Sequence, residues 1–449
     1  MYNERRNQLR SIVGKGLILL PGNVESSMSY RANVYPFRQD STFLYFFGLD
    51  RPGLVGIVDT ENDRDIVFGE DIDLDDLVWT GPVEALASQA TKVGVTDVRP
   101  LKALTAALSG KTVHYLPPYR PEHLLQLHEW LSLPFDKIAP SVLLIRAVVA
   151  LRSIKSPAEV LEIEKGVNTT NAMQMAAIQQ AREGMTEARL AGVLQGIAVS
   201  AGGNLAFPTI LTVNGQILHN HYGPHLLERG RMVLCDCGAE TALHYSGDLT
   251  RTFPVDGRFT PLQKEVYQIV LDAHQNAVGA LKPGVPYRRI HLLACATLVK
   301  GLQGLGLMQG DVEEAVTEGA HALFFQCGLG HMLGLDTHDM ENLGEAYVGY
   351  TDTLTKSTQF GLKSLRLGKP LEAGFVLTVE PGLYFIPELI DRWASERKLE
   401  RFIRYDRLEP FKTFGGIRIE EDFLITPTGG QLLGDPLPKT IPEVEALRG

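Results

Sequence analysis

Positions 327 to 339 read CGLGHMLGLDTHD, which sets His331 and His338 seven residues apart among glycines, with Asp336 and Asp339 beside the second. Imidazoles in such a stretch can ligate a metal, move protons or sit in a polar turn. Four acids bear on the choice. Asp236 ends the apolar run MVLC, Glu380 ends FVLTV just before Pro381-Gly382, Asp248 lies in the strand-like GDLTRTF, and Glu420 lies in GGIRIEED. In that last stretch the strand period of two puts Ile417 and Ile419 on one face and Arg418 and Glu420 on the other. A solvent-exposed outer face is the plain alternative for this pair. Carboxylates buried separately as ions are costly, so compensating positive charge is needed. Arg251 and Arg418 could supply it as a structural ion-pair network. A shared pair of divalent cations would do so with fewer groups, since oxygen-rich ligands with one imidazole suit manganese, cobalt, iron or zinc.

These residues need elements to hold them. Ser156-Pro157-Ala158-Glu159 is a capping box with proline at the first helical position, and predicts a helix running to about Gly184. Next come a helix from Thr186, the strands RMVLCDCG and HYSGDLTRTFPV, and a helix opened by a second capping box at Thr260-Pro261-Leu262-Gln263. A helix over roughly 286 to 303 precedes the histidine stretch, and the strands FVLTVEPGLYF and GGIRIEEDFLIT follow it. Helices and strand pairs alternate without the rhythm of a parallel sheet, so the class is α+β. VLCDCGAE at 233 and VLTVEPGL at 376 echo each other, each an apolar strand that finishes on an acid. Between 16 and about 117 the apolar runs GLILLPG, FLYFFGL, LVGIVD, DIVFGED and TVHYLPP recur, with the helix-like DLVWTGPVEALASQA and PLKALTAAL between some of them. That half reads as an α/β domain without an acid, base or metal cluster. A boundary at 150 to 155 is expected, giving domains 1–152 and 153–449.

Length and composition agree. A chain of 449 residues exceeds the usual limit of one core, and 44% hydrophobic with 21% charged residues fits ordinary globular folding. The net charge of −10 repels phosphate backbones and anionic lipid, so neither nucleic acid nor membrane is an expected partner. No apolar run approaches the roughly 18 residues of a membrane span, and GLILL is too short for a signal-peptide core. A cytoplasmic location is the expectation. Cys235, Cys237, Cys295 and Cys327 are too few and too irregular for a disulfide framework or a structural zinc site. In a strand, Cys235 and Cys237 would point away from Asp236.

With these residues in hand, the chain resembles the metal-dependent peptidases of the pita-bread fold, which include methionine aminopeptidase, aminopeptidase P and prolidase. Their ligand order Asp, Asp, His, Glu, Glu is matched by Asp236 in VLCDCGAE, Asp248 in GDLTRTF, His331 in GLGHMLGLDTHD, Glu380 in LTVEPGLYF and Glu420 in GGIRIEED. FRQDSTFLYFFGLD at 37 to 50 is similar to the N-terminal domain of the proline-specific members, so the resemblance spans nearly the whole chain. It implies a creatinase/aminopeptidase-like catalytic domain behind a smaller creatinase-N-like α/β domain. It also implies two divalent cations, Mn2+ foremost and Co2+, Zn2+ or Fe2+ as alternatives. Asp236 would hold one, His331 and Glu380 the other, and Asp248 and Glu420 would bridge both. Such a pair makes hydroxide available at neutral pH, here to attack the carbonyl of an Xaa-Pro bond in a small peptide. By the same resemblance Glu380 is also the proton shuttle, while His338 and His219 stabilise the tetrahedral intermediate or donate to the leaving proline nitrogen. Arg418 would pair with the bridging acid or a neighbour and fix its position. The Ser-Leu-Arg setting of Arg366 is similar to prolidase, where an arginine grips the dipeptide's free carboxylate and penalises longer peptides. A homodimer is expected, because proline-specific relatives commonly pair.

The chain departs from the family pattern in three places. Asp236 and Asp248 are twelve apart where many members have eleven, so a one-residue bulge is expected in the connecting hairpin. Gln326-Cys327 stands where many relatives carry a histidine four before the His331 position, and cysteine cannot replace an imidazole as a neutral-pH proton donor. ILHNHYGPH offers both His219 and His221 for the upstream histidine, and His219 matches the preceding Ile-Leu. The expected activity is therefore Xaa-Pro dipeptide hydrolysis, with aminopeptidase P action on longer peptides as the nearest alternative. A non-catalytic binding module on the same fold is the more distant one, since the whole ligand set is present.

Overall fold

Ser156 caps the helix Pro157–Gln180 as its sequence dictates: its hydroxyl accepts the Glu159 backbone N–H, and the Glu159 carboxylate returns to the Ser156 N–H. The computed structural model describes residues Met1–Gly449. The helix ends four residues before the expected Gly184, because Gly184 turns at φ 79° and its N–H bonds to the Leu227 carbonyl. The chain divides into two compact units, one of Met1–Arg152 with Asn342–Tyr347 and one of Ser153–Glu341 with Val348–Gly449. Nothing in the sequence signals that Asn342–Tyr347 groups with the first unit.

The first unit is built on a five-stranded sheet in the order Asp97–Arg99, Arg64–Phe68, Val55–Asp59, Leu17–Pro21 and Val113–His114. The three central strands are antiparallel and both edge strands add in parallel. Leu17, Leu19, Val55, Ile57, Ile66 and Phe68 face one core, and the residues between them, such as Ile18, Val58 and Val67, are buried as well. Both faces of the sheet are therefore covered, as an α/β reading requires. FLYFFGL differs from the other apolar runs: Ser41–Phe47 is a helix, wholly buried and capped by Asp40. A short continuous apolar run has no period to distinguish helix from strand.

The second unit holds two helix pairs, Pro157–Gln180 with Glu187–Ser200 and Pro261–Gly279 with Tyr287–Gly304. Each pair precedes strands that carry acids. In the first half Met232–Cys237 lies between Ile210–Thr212 and Leu249–Pro254. In the second half the expected strand FVLTVEPGLYF divides in two. Val376–Val379 pairs with Glu421–Ile425, whereas Gly382–Tyr384 pairs with Gly416–Arg418. The expected strand GGIRIEEDFLIT divides at the same level. Pro381 offers no N–H to a ladder, so the sheet breaks at the residue after Glu380. A backbone bridge from the Glu420 N–H to the Thr250 carbonyl (3.1 Å) joins the two halves.

The loop that carries both histidines is anchored by a buried ion pair. Lys155 Nζ lies 2.7 Å from Asp339 Oδ2, with the two side chains 2% and 1% exposed. Removing one partner takes the buried opposite charge away from the other. Lys155→Met is expected to lower unfolding free energy by about 3–5 kcal/mol in denaturant titration, and Lys155→Met combined with Asp339→Leu to recover most of it. A double variant as unstable as the single one would refute this assignment of the loss to the uncompensated charge of Asp339.

Candidate metal centre

Asp236 and Asp248 come from one hairpin. Its ladder keeps a single register from Met232 opposite Pro254 to Glu240 opposite Ser246, so Asp236 pairs with Thr250 and Asp248 lies on the same face. The odd residue is taken up at the tip, Ala242 to His244, where the Thr241 carbonyl accepts the His244 N–H and His244 adopts φ 65°. The strands themselves need no bulge. Cys235 and Cys237 point the other way into the main core, and all four cysteines are free thiols. Gln174, fully buried on the first helix, braces the hairpin from behind through the Cys235 and Leu249 carbonyls (3.0 and 2.6 Å).

His331 is held by the strand that precedes Glu380. Its backbone N–H donates to Thr378 Oγ1 (3.2 Å), and Tyr287 donates its hydroxyl hydrogen to the Thr378 carbonyl (2.6 Å). Gly330 must be glycine for this approach, since a Cβ there would lie 2.1 Å from the Thr378 oxygen. His331 Nδ1 contacts the Met332 carbonyl at 3.1 Å. A carbonyl only accepts, so Nδ1 carries the hydrogen and Nε2 presents a lone pair. That lone pair faces Asp248 Oδ2 at 3.4 Å and Glu380 Oε1 at 3.6 Å, acceptors both.

Asp236, Asp248, His331, Glu380 and Glu420 line one cavity of about 440 Å³, within the usual ~300–1,000 Å³ of small-molecule sites. Ligand atoms of Asp248, His331 and Glu420 lie within 4.8 Å of one another. Asp236 Oδ1 and Asp248 Oδ1 are buried without any hydrogen-bond partner. Burial, then the charges of Asp236, Asp422 and Glu380, holds the Asp248 carboxyl well above its ordinary range. Burial and the neighbouring acids do the same to Glu420, and burial raises Glu380. Lone pairs converging on lone pairs, with carboxylates that repel one another, are the donor chemistry of a cation site, and divalent cations fit it.

Arg418 supplies part of the compensating charge. The residues around Gly416–Arg418 and Glu420 are buried, so the exposed-face alternative does not hold. The Arg418 guanidinium donates to Asp236 Oδ2, to Thr250 Oγ1 (3.1 Å) and to the Tyr384 hydroxyl (2.9 Å). Thr250 in turn donates to Glu420 Oε2 (2.6 Å), so a single relay orients one acid from each half. Arg251 faces away: it pairs with Glu421 at 2.7 Å and adds no charge to the cavity. Replacing Arg418 by lysine keeps the charge and loses the fork. Arg418→Lys is expected to weaken cation binding roughly tenfold, the lower end of the ~10–100-fold typical of groups that orient ligands. Equilibrium dialysis against Mn2+ measures this, and unchanged affinity would refute it.

His219, His221, His338, Arg366 and Cys327 line the same cavity. Burial, followed by the Arg418 charge, lowers the His219 pKa. The His338 ring packs 4.2 Å from that of His331, centroid to centroid, and its Nδ1 is held by Glu341. Burial, then His331, pushes His338 down to about 4, while the hydrogen bond from His338 keeps Glu341 ionised at about 2. His338 is thus a neutral ring with Nε2 unprotonated. Arg366, its side chain 30% exposed, also reaches Glu341 Oε2 through Nε, at 3.2 Å, from the wall of the cavity. Burial raises the Cys327 thiol to about 12, leaving a neutral group 3.9 Å from the Tyr384 hydroxyl.

Three features were missed in the sequence. Glu341 stands three residues after His338, a spacing that could have suggested a carboxylate-oriented imidazole. Thr250, two residues after Asp248, follows from the pleat. The apolar wall of Phe207, Pro208, Ile210 and Leu218 carries no signal at all.

Comparison with known proteins agrees with this geometry. A sequence model of metallopeptidase family M24 matches residues 162–427, and one of the aminopeptidase P N-terminal domain matches residues 2–114. The Homo sapiens Xaa-Pro dipeptidase is 30% identical over 456 residues, covering 99% of this chain and 90% of the relative. A Sordaria macrospora protein named "Probable Xaa-Pro aminopeptidase" is 30% identical over 425 residues, covering 92% and 87%. Among solved structures, Escherichia coli aminopeptidase P in its low pH form superposes with a TM-score of 0.82 at 28% identity, covering 100% of this chain and 97% of that one. Pseudomonas aeruginosa aminopeptidase PepP gives 0.81 at 26% identity, with the same coverage. The chain therefore belongs to metallopeptidase family M24, with a pita-bread catalytic domain behind an aminopeptidase P N-terminal domain.

Proposed function

We propose that this chain is a dinuclear-metal hydrolase of the Xaa-Pro peptide bond that prefers Xaa-Pro dipeptides, with Mn2+ as its working ion. The observation that carries the reading is the convergence of five segments on one cavity in which two aspartate oxygens lack any partner. Asp236, Asp248, His331, Glu380 and Glu420 would hold the cations. When bound, these would polarise the scissile carbonyl and lower the pKa of a water to near neutrality.

The chain's own groups would do the rest. Phe207, Pro208, Ile210 and Leu218 offer apolar surface for a pyrrolidine ring. Glu380 would carry the attacking water's proton toward the leaving nitrogen. His219, and His338 once its Nε2 has taken up a proton while Nδ1 stays fixed by Glu341, would bind the developing oxyanion or the leaving proline nitrogen. Arg366 would meet the free carboxylate of a dipeptide. Similarity to the human dipeptidase over 99% of the chain supports that substrate length. One observation favours the second reading, an Xaa-Pro aminopeptidase: Glu341 already occupies part of Arg366. A screen of Gly-Pro against Gly-Pro-Xaa tripeptides, each with Mn2+, Co2+ and Zn2+, decides between them. Equal or faster turnover of the tripeptides would overturn the dipeptidase reading. A homodimer in the cytoplasm is the accompanying proposal, checked by light scattering and by fractionation.

A further inference from the structure

A second cluster lies in the same unit, and none of its three side chains lines the carboxylate cavity. His291 and Cys295 sit four apart on the helix Tyr287–Gly304, so they share one face, and His321 comes from the short turn Ala320–Leu323. All three are buried, at 0%, 0% and 2% exposure. Their donor atoms lie within 4.8 Å of one another, with Cys295 Sγ 3.5 Å from His291 Nε2. Both ring nitrogens of His321, and Nδ1 of His291, have no hydrogen-bond partner. Buried nitrogens in this state are costly unless something fills the space between them. We propose that His291, Cys295 and His321 form a second metal site, selective for a soft monovalent cation of the Cu(I) class.

Charge selects the ion. Burial lowers both histidines, to about 3 and about 4, so each enters as a neutral ligand. Burial raises the Cys295 thiol, so only a cation that bonds sulfur strongly would displace its proton to solvent. One thiolate and two neutral imidazoles then carry a charge of −1. Cu(I) brings this to zero, whereas a divalent ion leaves +1 at a buried site three residues along the helix from Arg288. Three ligands with a thiolate also suit Cu(I) better than the four-coordinate closed sites of structural zinc. No electron is exchanged: one S–H bond breaks, one metal–sulfur bond forms, and a proton leaves. The bound ion would fasten the Tyr287–Gly304 helix to the turn that leads into the His331 stretch.

The test is anaerobic titration of the full-length protein with Cu(I) against a chromogenic Cu(I) chelator, followed by X-ray absorption spectroscopy. The expected result is one chelator-resistant equivalent in a nitrogen and sulfur shell. Its dissociation constant should rise at least about 100-fold in Cys295→Ser and in His321→Gln, and stay unchanged in Asp248→Asn and Cys327→Ser. His321→Gln keeps a polar side chain and carries the test should Cys295→Ser misfold, with circular dichroism as the check. Absence of chelator-resistant uptake, uptake indifferent to both cluster variants, or an oxygen-only shell would each overturn the proposal, as would a crystal structure soaked in Cu(I) with only water between the three side chains.

Discussion

Asp248→Asn is expected to lower kcat/KM by about a thousandfold and, in the presence of a chelator, to raise the melting temperature. Both signs come from one arrangement. Asp248 is 4% exposed, with one oxygen lacking any partner and the other turned to the His331 lone pair. With cations bound, its charge would be a ligand, and an amide oxygen in its place would be a weak one. A thousandfold corresponds to about 4 kcal/mol of transition-state stabilisation, beyond the ~10–100-fold of groups that only orient ligands. Without cations the same charge is a liability, because the neighbouring acids and burial disfavour it. Asparagine removes the charge and adds an N–H2 that can donate to the facing acceptors.

Linkage gives the pH dependence of that liability. A carboxyl whose folded pKa lies above its unfolded value near 3.8 makes the fold bind more protons than the unfolded chain. Chelated protein should therefore gain stability as pH falls below the raised pKa, with the gain complete near 3.8. The advantage of Asp248→Asn should shrink over the same interval. Calorimetry of both proteins with EDTA and with Mn2+ reads these signs. A loss of melting temperature in the variant equal in both conditions would mean that Asp248 serves a structural ion-pair network.

Acids at strand ends were visible in the sequence because apolar runs leave few explanations for a terminal carboxylate, and strand periodicity placed Arg418 and Glu420 on one face. Their partners were not visible. Arg251 and Arg418 look alike in sequence, yet adjacent strand positions assign Arg251 to Glu421 and Arg418 to Asp236. The break at Pro381 could be read, whereas the reassignment of each half-strand to a different sheet could not, since register depends on distant partners. His291 and Cys295 could be placed on one helical face from their spacing, but His321 joins them only through the turn that follows the next helix.

The choice between dipeptides and longer peptides turns on Glu341. Its carboxylate receives both His338 Nδ1 and Arg366 Nε, so it orients the ring and partly neutralises the guanidinium. A substrate carboxylate must compete with it for Arg366. Charge-assisted hydrogen bonds contribute about 1.5–3 kcal/mol, or roughly 10–100-fold in kcat/KM. Arg366→Met is therefore expected to lower kcat/KM for Gly-Pro by about 100-fold and for Gly-Pro-Xaa peptides by less than about threefold, because their carboxylate lies one residue further on. Glu341→Gln should lower both rates, since His338 loses its ionised anchor. It should also raise the ratio of dipeptide to tripeptide kcat/KM, because Arg366 is released from its competitor. Opposite movement of that ratio in the two variants is the signature of a clamp held in check. A ratio unmoved by either substitution would leave Arg366 a cation of the cavity wall with no part in measuring substrate length.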